Sequence, residues 1–334
     1  MKMARMDLRT KFMGLELSSP ILVSASTLSE KTHHIVEMEE NGAGAVVLFS
    51  LFEEQIRAEA ARYASVRSAT SNVFAEASGF FPNLDEYAAG TDEYLEKIFA
   101  AKQSVDIPVI ASLNGITPEG WIEYARQIEN AGADALEMNI FFIPGDTGIS
   151  SSEVEHRYLN IITEVCNSVH IPVAVKLNPY FSAMGNMALR MQKAGADALV
   201  LFNRFYQPDF DINELRILSN LQYSESNEIR LPLLWIAMLH GRVPVSLAGT
   251  TGVQSATEVI KYLLAGADVA MTASALYKNG IGYLRTMTTD LEAWMERMGF
   301  GSVADFKGIL SQQHVSDPTA FERANYIRIL QSKR

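Results

Sequence analysis

Cysteine is nearly absent: Cys166 is the one cysteine in 334 residues. No intrachain disulfide can form, which fits a reducing compartment. Positive charge is also in short supply. Twenty-eight Lys and Arg stand against 39 Asp and Glu, a net charge of −11. Such a balance argues against non-specific binding to nucleic acid or anionic membrane, yet leaves room for one local anion site. No apolar run reaches membrane-spanning length, and the basic opening MKMARMDLRTKF is not followed by the apolar stretch of a leader. The expectation is a cytoplasmic protein. The composition, 48% hydrophobic and 20% charged, is ordinary for a globular chain with a sizeable core. No low-complexity linker divides it, so residues 1–334 are expected to form a single domain.

Two short phrases alternate along the chain. One is a proline leading into an apolar strand: PILVSAS from Pro20, PVIASLN from Pro108, PVAVKLN from Pro172 and PVSLAGT from Pro244. The other is a small-residue turn leading into a strand: GAGAVVLFS from Gly42, AGADALEMN from Ala131, AGADALVLFN from Ala194 and AGADVAMTAS from Ala265. Interleaved, they place eight strands near 21–25, 45–50, 109–113, 135–139, 173–177, 198–202, 245–248 and 269–273. The runs are near-continuously apolar, as parallel strands buried on both faces are. Amphipathic stretches of helical length, such as Pro118 to Ala131 and Ala256 to Ala265, lie between most of them. Thr117 is a candidate N-cap, and the Gly of each AGAD phrase suits a helix stop. Eight such units with right-handed crossovers predict an α/β fold, a (β/α)8 TIM barrel; an open doubly wound sheet is the plainer alternative. Residues 6–18, around Gly14, are expected to form an N-terminal hairpin plugging the barrel floor. Residues 51–90 and 204–230 are insertions after the second and sixth strands, the former arching over the top. Residues 290–334 are expected to be mostly helical.

Active sites of this fold lie at the C-terminal ends of the strands. That rule selects Ser24 to Thr27, Phe49, Ser50, Ser112, Asn114, Asn139, Lys176, Asn178, Asn203, Gly249 to Gly252 and Thr272 to Ser274. Asparagine is a poor strand former, so several at one rim point to ligand hydrogen bonds, with loop capping the plainer reading for any one of them. The run Ala248-Gly249-Thr250-Thr251-Gly252 after the seventh strand, with ASAL (Ala273 to Leu276) after the eighth, places small residues where backbone N–H groups can approach a phosphate. Two tight turns without a ligand would read the same way. Lys176 should point into the barrel mouth, where an unpaired ammonium is costly. It could stabilise charge on a reduced flavin, act as a Schiff-base nucleophile, or simply pair with a carboxylate. Cys166 reads as a small buried residue.

Taken together these residues resemble the dihydroorotate dehydrogenase family, particularly its class 1 members, through nearly the whole chain. SSPILVSAST resembles the family opening. VAVKLNPYF resembles its Val-Lys-Leu-Pro-Pro-Tyr-Phe stretch. GTTGVQSATEVIKYLLAGADVAMTASAL resembles its phosphate loop, helix and following turn without a gap, and GFGSVADFKG its C-terminal motif. The resemblance implies an FMN-dependent oxidoreductase that passes a hydride from dihydroorotate, or a related small substrate, to the flavin. It implies FMN-phosphate contacts at Gly249, Thr250, Thr251, Gly252, Ala273 and Ser274, and flavin contacts at Ser24, Ala25 and Lys176. Asn114, Asn139 and Asn203 would line the flavin and the substrate. With no iron–sulfur spacing in the chain, electrons must leave through the flavin directly or through a redox partner protein. Class 1 relatives also imply a homodimer.

The sequence departs from the family pattern where proton transfer belongs. Phe142 stands where a Cys or Ser general base is expected, Phe49 where the second strand usually ends in lysine, and Ala77 where the substrate loop has asparagine; Pro82 and Asn83 remain. A positioned base contributes roughly 10²–10⁴-fold. The loop after the fourth strand offers replacement candidates in Ser151 and Ser152, then Asp146, Glu153 and His156, though Ser151 or Ser152 with Glu155 also reads as a helix cap. Phe141 and Phe142 read as core packing or as the wall of an apolar pocket. Two alternatives to the oxidoreductase stay open: a non-catalytic flavin- or phosphate-binding homologue, and a barrel lyase using Lys176 as a Schiff base. Flavin bleaching by dihydroorotate separates the first from the enzyme; borohydride trapping on Lys176 tests the second.

Overall fold

The computed structural model describes residues 6–56, 91–115, 118–204, 208–218, 221–322, 327, 330 and 331. Its strands, in chain order, are β1 (Thr10–Phe12), β2 (Leu15–Leu17), β3 (Ile21–Val23), β4 (Ala45–Phe52), β5 (Val109–Gly115), β6 (Ala135–Ile140), β7 (Val173–Leu177), β8 (Ala198–Leu201), β9 (Asp209–Asp211), β10 (Arg216–Leu218), β11 (Ser246–Gly249) and β12 (Val269–Thr272). Eight of them, β3 to β8 with β11 and β12, close into one barrel in sequence order, and every adjacent pair is parallel. This is the predicted (β/α)8 architecture. Each of the eight expected strands is present within one to two residues of its predicted ends.

The described helices are α1 (Thr32–Glu40), α2 (Thr91–Lys102), α3 (Pro118–Asn130), α4 (Ser151–Cys166), α5 (Met184–Lys193), α6 (Arg230–Leu239), α7 (Ala256–Ala265), α8 (Ser274–Asn279) and α9 (Tyr283–Met298). Helix α4 shows why they pack outside the sheet: Tyr158, Ile161, Ile162 and Val165 recur at helical spacing and are all buried. The AGAD phrases do two jobs. Their glycines, Gly132, Gly195 and Gly266, take φ of 95°, 112° and 112° and end the helices. Their aspartates reach across to the neighbouring strand. Asp134, Asp197 and Asp268 accept the first strand N–H of Val109 (2.7 Å), Val173 (2.8 Å) and, one residue into β11, Leu247 (2.8 Å).

Strands β1 and β2 pair antiparallel, with Met13 and Gly14 both at positive φ in the two-residue turn. Phe12, Met13 and Leu17 join Leu22, Val47, Ile110, Ala174 and other inward barrel residues in one buried cluster, so the hairpin plugs the floor as expected. Inward positions alternate along each strand. Nearer the mouth they turn polar on one side only. Strands β5, β6 and β7 present Ser112, Asn114, Glu137, Asn139 and Lys176, whereas β8, β11, β12 and β3 continue with Val200, Ala248, Met271 and Leu22.

Of the insertion at 51–90, residues 57–90 lie outside the described residues, as does Thr117, so Ala77, Pro82 and Asn83 have no described placement. The insertion at 204–230 contains the small antiparallel hairpin β9–β10 and a short 3-10 turn, Ser226–Ile229. Among the described residues of 290–334, the stretch after α9 departs from the mostly helical expectation. After α9 ends at Met298, residues 299–322 run as turns with two 3-10 segments, held to the barrel by backbone bonds such as Gly308 N to Leu263 O (2.9 Å) and Gln312 N to Ala237 O (2.9 Å).

Candidate functional site

The loops after β11 and β12 meet. Thr272 Oγ1 donates to Val253 O (2.9 Å) and Gln254 Nε2 donates to Ser274 Oγ (2.9 Å), so two stitches tie the corners together. A cavity of about 380 Å³ opens there, walled by Thr250, Thr251 and Gly252 from one corner and Ala273 and Ser274 from the other. Ser24, Ala25, Asn203 and Lys176 line the same cavity. Its volume lies in the ordinary range of ligand pockets. Gly249 lies beneath, closing β11.

The shape of the 249–252 corner has identifiable causes. A Cβ on Gly249 would come 2.5 Å from the ring of Tyr262, and Tyr262 Oη donates to Thr250 O (2.9 Å) and Thr251 O (3.0 Å). Burial pushes the Tyr262 phenol well above its usual range, which keeps it a donor. Gly252 sits at φ 76°, and a Cβ there would approach Ile229 and Glu225 O within 3 Å. Thr251 also has positive φ, 71°, an uncommon state for a β-branched residue, held by its Oγ1 donating to Phe202 O (3.0 Å). The Gly252 N–H donates to Ser224 Oγ (3.2 Å), and Ser224 Oγ lies 2.7 Å from Ser274 Oγ. Donors thus converge on one point, and the hydroxyl of Ser224 stands at it. This arrangement suits one tetrahedral oxyanion bound by backbone and hydroxyl donors.

Across the mouth, Lys176 is the penultimate residue of β7, largely buried. It is not alone: Nζ donates to Glu137 Oε1 at 3.3 Å, and the Glu137 side chain is fully buried. The plainer expectation for Lys176, a carboxylate partner, is therefore present alongside its place in the cavity wall. Asn203 Nδ2 donates to Asn139 Oδ1 (2.7 Å), uniting two of the predicted asparagines, and Asn114 stands beside Asn139 in the β5–β6 register. Asn178 is diverted to packing. It donates to Tyr158 Oη (2.7 Å), and its Oδ1 accepts the Tyr180 N–H (2.8 Å). A larger cavity, about 510 Å³, adjoins the first through Phe202, Asn203, Arg204 and Thr251.

The proton-transfer candidates fall elsewhere. Phe142 lies under Arg157, whose guanidinium carbon is 4.3 Å from the ring centroid. With Ser151 it lines a separate cavity of about 240 Å³. The cap of α4 is Ser150 with Glu153, one residue earlier than expected, so Ser151 and Ser152 are its first helical residues. Glu153 is thereby held below the usual carboxylate range by its bonds to Ser150. Ser152 and His156 face one another along the helix. Asp146 accepts the Gly148 N–H (2.8 Å) in an exposed turn. Phe49 packs edge-on against Tyr94, centroids 5.1 Å apart. Cys166, at the end of α4, has its thiol pushed up to about 12 by burial.

The profile of the dihydroorotate dehydrogenase family matches residues 7–295. The chain belongs to this family. Among similar proteins is the dihydroorotate dehydrogenase B (NAD(+)) catalytic subunit of Thermoplasma acidophilum, 26% identical over 312 residues, covering 91% of this chain and 98% of the relative. The protein of the same name from Thermoplasma volcanium is 27% identical over 323 residues, with the same coverage. That from Pyrococcus furiosus is 25% identical over 310 residues, covering 91% and 99%. Around the candidate site of this dehydrogenase-family chain stand four residues that the sequence did not point to: Glu137, Ser224, Gln254 and Tyr262. Glu137 alone carried a visible signal, being a charge in the apolar run ALEMN at an inward position. The others depend on loop and helix placement that no local pattern announces. Among the described residues no helix is long and apolar enough to cross a membrane, and no cluster of side chains suits a metal ion.

Proposed function

We propose that this chain is an FMN-dependent dehydrogenase acting on CH–CH donors, oxidising dihydroorotate or a closely related small molecule. Residues 1–334 are read as one cofactor-binding unit working in the cytoplasm. The observation carrying the reading is the shared cavity, in which the 250–252 and 273–274 corners and Lys176 face one space at the strand ends of a family-typical barrel. The residues fit the group. Tied corners rich in N–H and hydroxyl donors suit a phosphate, and the buried Ser26 Oγ on the same wall has no hydrogen-bond partner of its own. Gly249, Thr250, Thr251, Gly252, Ala273 and Ser274 would hold the phosphate. Ser24, Ala25 and Lys176 would meet the ring system, with Asn139, Asn203 and Asn114 toward the substrate.

When bound, FMN supplies a two-electron acceptor. The chain's own residues then orient and exclude. Lys176 presents positive charge at the mouth, where charge on a reduced ring is stabilised. The Asn139–Asn203 pair fixes an amide edge for a planar polar ligand. Position 142 offers no proton acceptor, and Ser151 opens onto a different cavity. Replacing Ser151 by Ala should therefore leave turnover within about twofold, against the roughly 10²–10⁴-fold contributed by a true base; a loss of that larger size would make Ser151 the base.

Relatives named as catalytic subunits of an NAD(+) enzyme support a second polypeptide that receives the electrons, and the chain itself is read as a homodimer. Light scattering should give twice the 36.9 kDa chain mass; a mass of one chain at micromolar concentration would remove the dimer from the proposal. The reading as a whole is tested by anaerobic mixing of the FMN-loaded protein with dihydroorotate. Bleaching of the flavin absorbance is expected. Stable yellow protein that no dihydropyrimidine reduces would leave a flavin-binding homologue without this activity.

A further inference from the structure

Glu137 is hard to explain by stability. Its side chain is wholly buried, its Oε2 has no hydrogen-bond partner, and Oε1 meets Lys176 Nζ at 3.3 Å. A carboxylate with one oxygen unpaired and the other in a single long contact gains little from folding. Buried ion pairs are often matched or bettered by apolar residues of similar volume. The layer around it could accept such a residue, since Ala174 lies opposite in the register and Ala135 beneath on the same strand. The other neighbours are satisfied elsewhere. Ser112 Oγ bonds Ser50 Oγ (2.8 Å), and Tyr94 Oη is engaged with the Ser112 backbone. Lys176 is thus the one partner of Glu137 among the described residues. Lys176, but not Glu137, lines the cavity.

We infer that Glu137 is a positioning residue that holds Lys176 aimed into the mouth of the barrel. The geometry explains why the pair is lopsided. A short, bidentate, fully satisfied bridge would withdraw the ammonium from the cavity. One long contact leaves two of its three N–H donors for a ligand while countering the cost of burying its charge. Without the carboxylate, the Lys176 ammonium loses the one hydrogen bond that holds it at this spot. The ligand this serves is anionic or becomes so during reaction, which rests on the flavin reading above.

Two measurements separate the inference from that reading. The first needs no cofactor. In the cofactor-free protein, labelling of Lys176 by pyridoxal phosphate and borohydride, followed by mass spectrometry, reads out how readily the untethered amine meets an aldehyde in the cavity. Glu137→Gln should label at least about tenfold faster than the unsubstituted protein, and Glu137→Asp, with its carboxylate drawn back by one methylene, at an intermediate rate. Equal rates in folded protein would overturn the inference, and Glu137→Asp keeps the test open should Glu137→Gln not fold. The second uses the FMN-loaded protein. Glu137→Gln should make flavin reduction less favourable by about tenfold, which is about 30 mV for two electrons. The same change made in a Lys176→Gln background should have no further effect. An upward shift, or an equal shift with Lys176 gone, would show that Glu137 acts on its own. If FMN does not bind at all, the labelling result still decides the role of Glu137, and it is the cofactor reading that fails.

Discussion

Thr251 and Gly252 are adjacent residues in the same left-handed backbone region, and they predict opposite tolerances. Thr251→Gly relieves roughly 1–2 kcal/mol of left-handed strain but loses one hydrogen bond of about 1 kcal/mol and adds unfolded-state entropy. Its thermal stability should therefore stay near that of the unsubstituted protein. Gly252→Ala adds strain and drives a Cβ to 2.7 Å from Ile229 Cγ2 and 2.9 Å from Glu225 O, with nothing in return. It should destabilise by about 2 kcal/mol or more and weaken FMN binding, as read by denaturant unfolding and a fluorescence titration. Cys166 yields a different residue-scale prediction. Burial raises its thiol to about 12, so the thiolate is scarce at neutral pH. Alkylation of the native protein should run far below that of a free thiol and recover on unfolding; fast native labelling would place the sulfur in a different environment.

The most exposed dependence at the level of elements is the barrel floor. The β1–β2 hairpin is too short to be stable alone and holds its place by Phe12, Met13 and Leu17 inside the barrel. Phe12→Ala should cost about 3–5 kcal/mol, and denaturant unfolding should show it as a lowered midpoint with the slope unchanged. The elements were also the part most readable in the sequence. Eight apolar runs at regular spacing carry their own signal, because parallel strands covered on both faces tolerate little else. The AGAD repeat was legible as helix stops but not in its second role, since Asp134, Asp197 and Asp268 act on strands 21 to 25 residues away in the chain. The same limit applies to the candidate site. Lys176 and the Gly249–Gly252 corner announce themselves through strand position and small residues. Ser224 reaches Gly252 from an insertion whose path no periodicity predicts. The one-residue error at the α4 cap arose because three consecutive serines offer equivalent caps, and only the reciprocal Glu153 contact selects Ser150.

At the scale of the whole molecule, the barrel is sealed along α6 and α7 by residues 308–314, and His240 sits in that seam. Its Nδ1 lies 3.0 Å from Gly266 O, with Lys307, Asp268 and His314 as charged or titratable neighbours. Burial lowers the His240 pKa below the usual value of about 6.5, so the unfolded chain binds the proton more readily than the folded one. Its contribution is fully present above about pH 6.5 and is lost as pH falls through the depressed folded value. Denaturant midpoints should drop between about pH 7 and pH 5, and His240→Gln should flatten that part of the profile; an unchanged slope would place the titration elsewhere.

In the proposed site, backbone and hydroxyl donors at two stitched corners bind one phosphate, with Lys176 facing the rest of the ligand. Parallel titrations of the cofactor-free protein with FMN and with riboflavin, which shares the ring but lacks the phosphate, address it most directly. FMN should bind at least about a hundredfold more tightly, on the order of two charge-assisted hydrogen bonds. Equal affinities, or no binding of FMN at any accessible concentration, would contradict it.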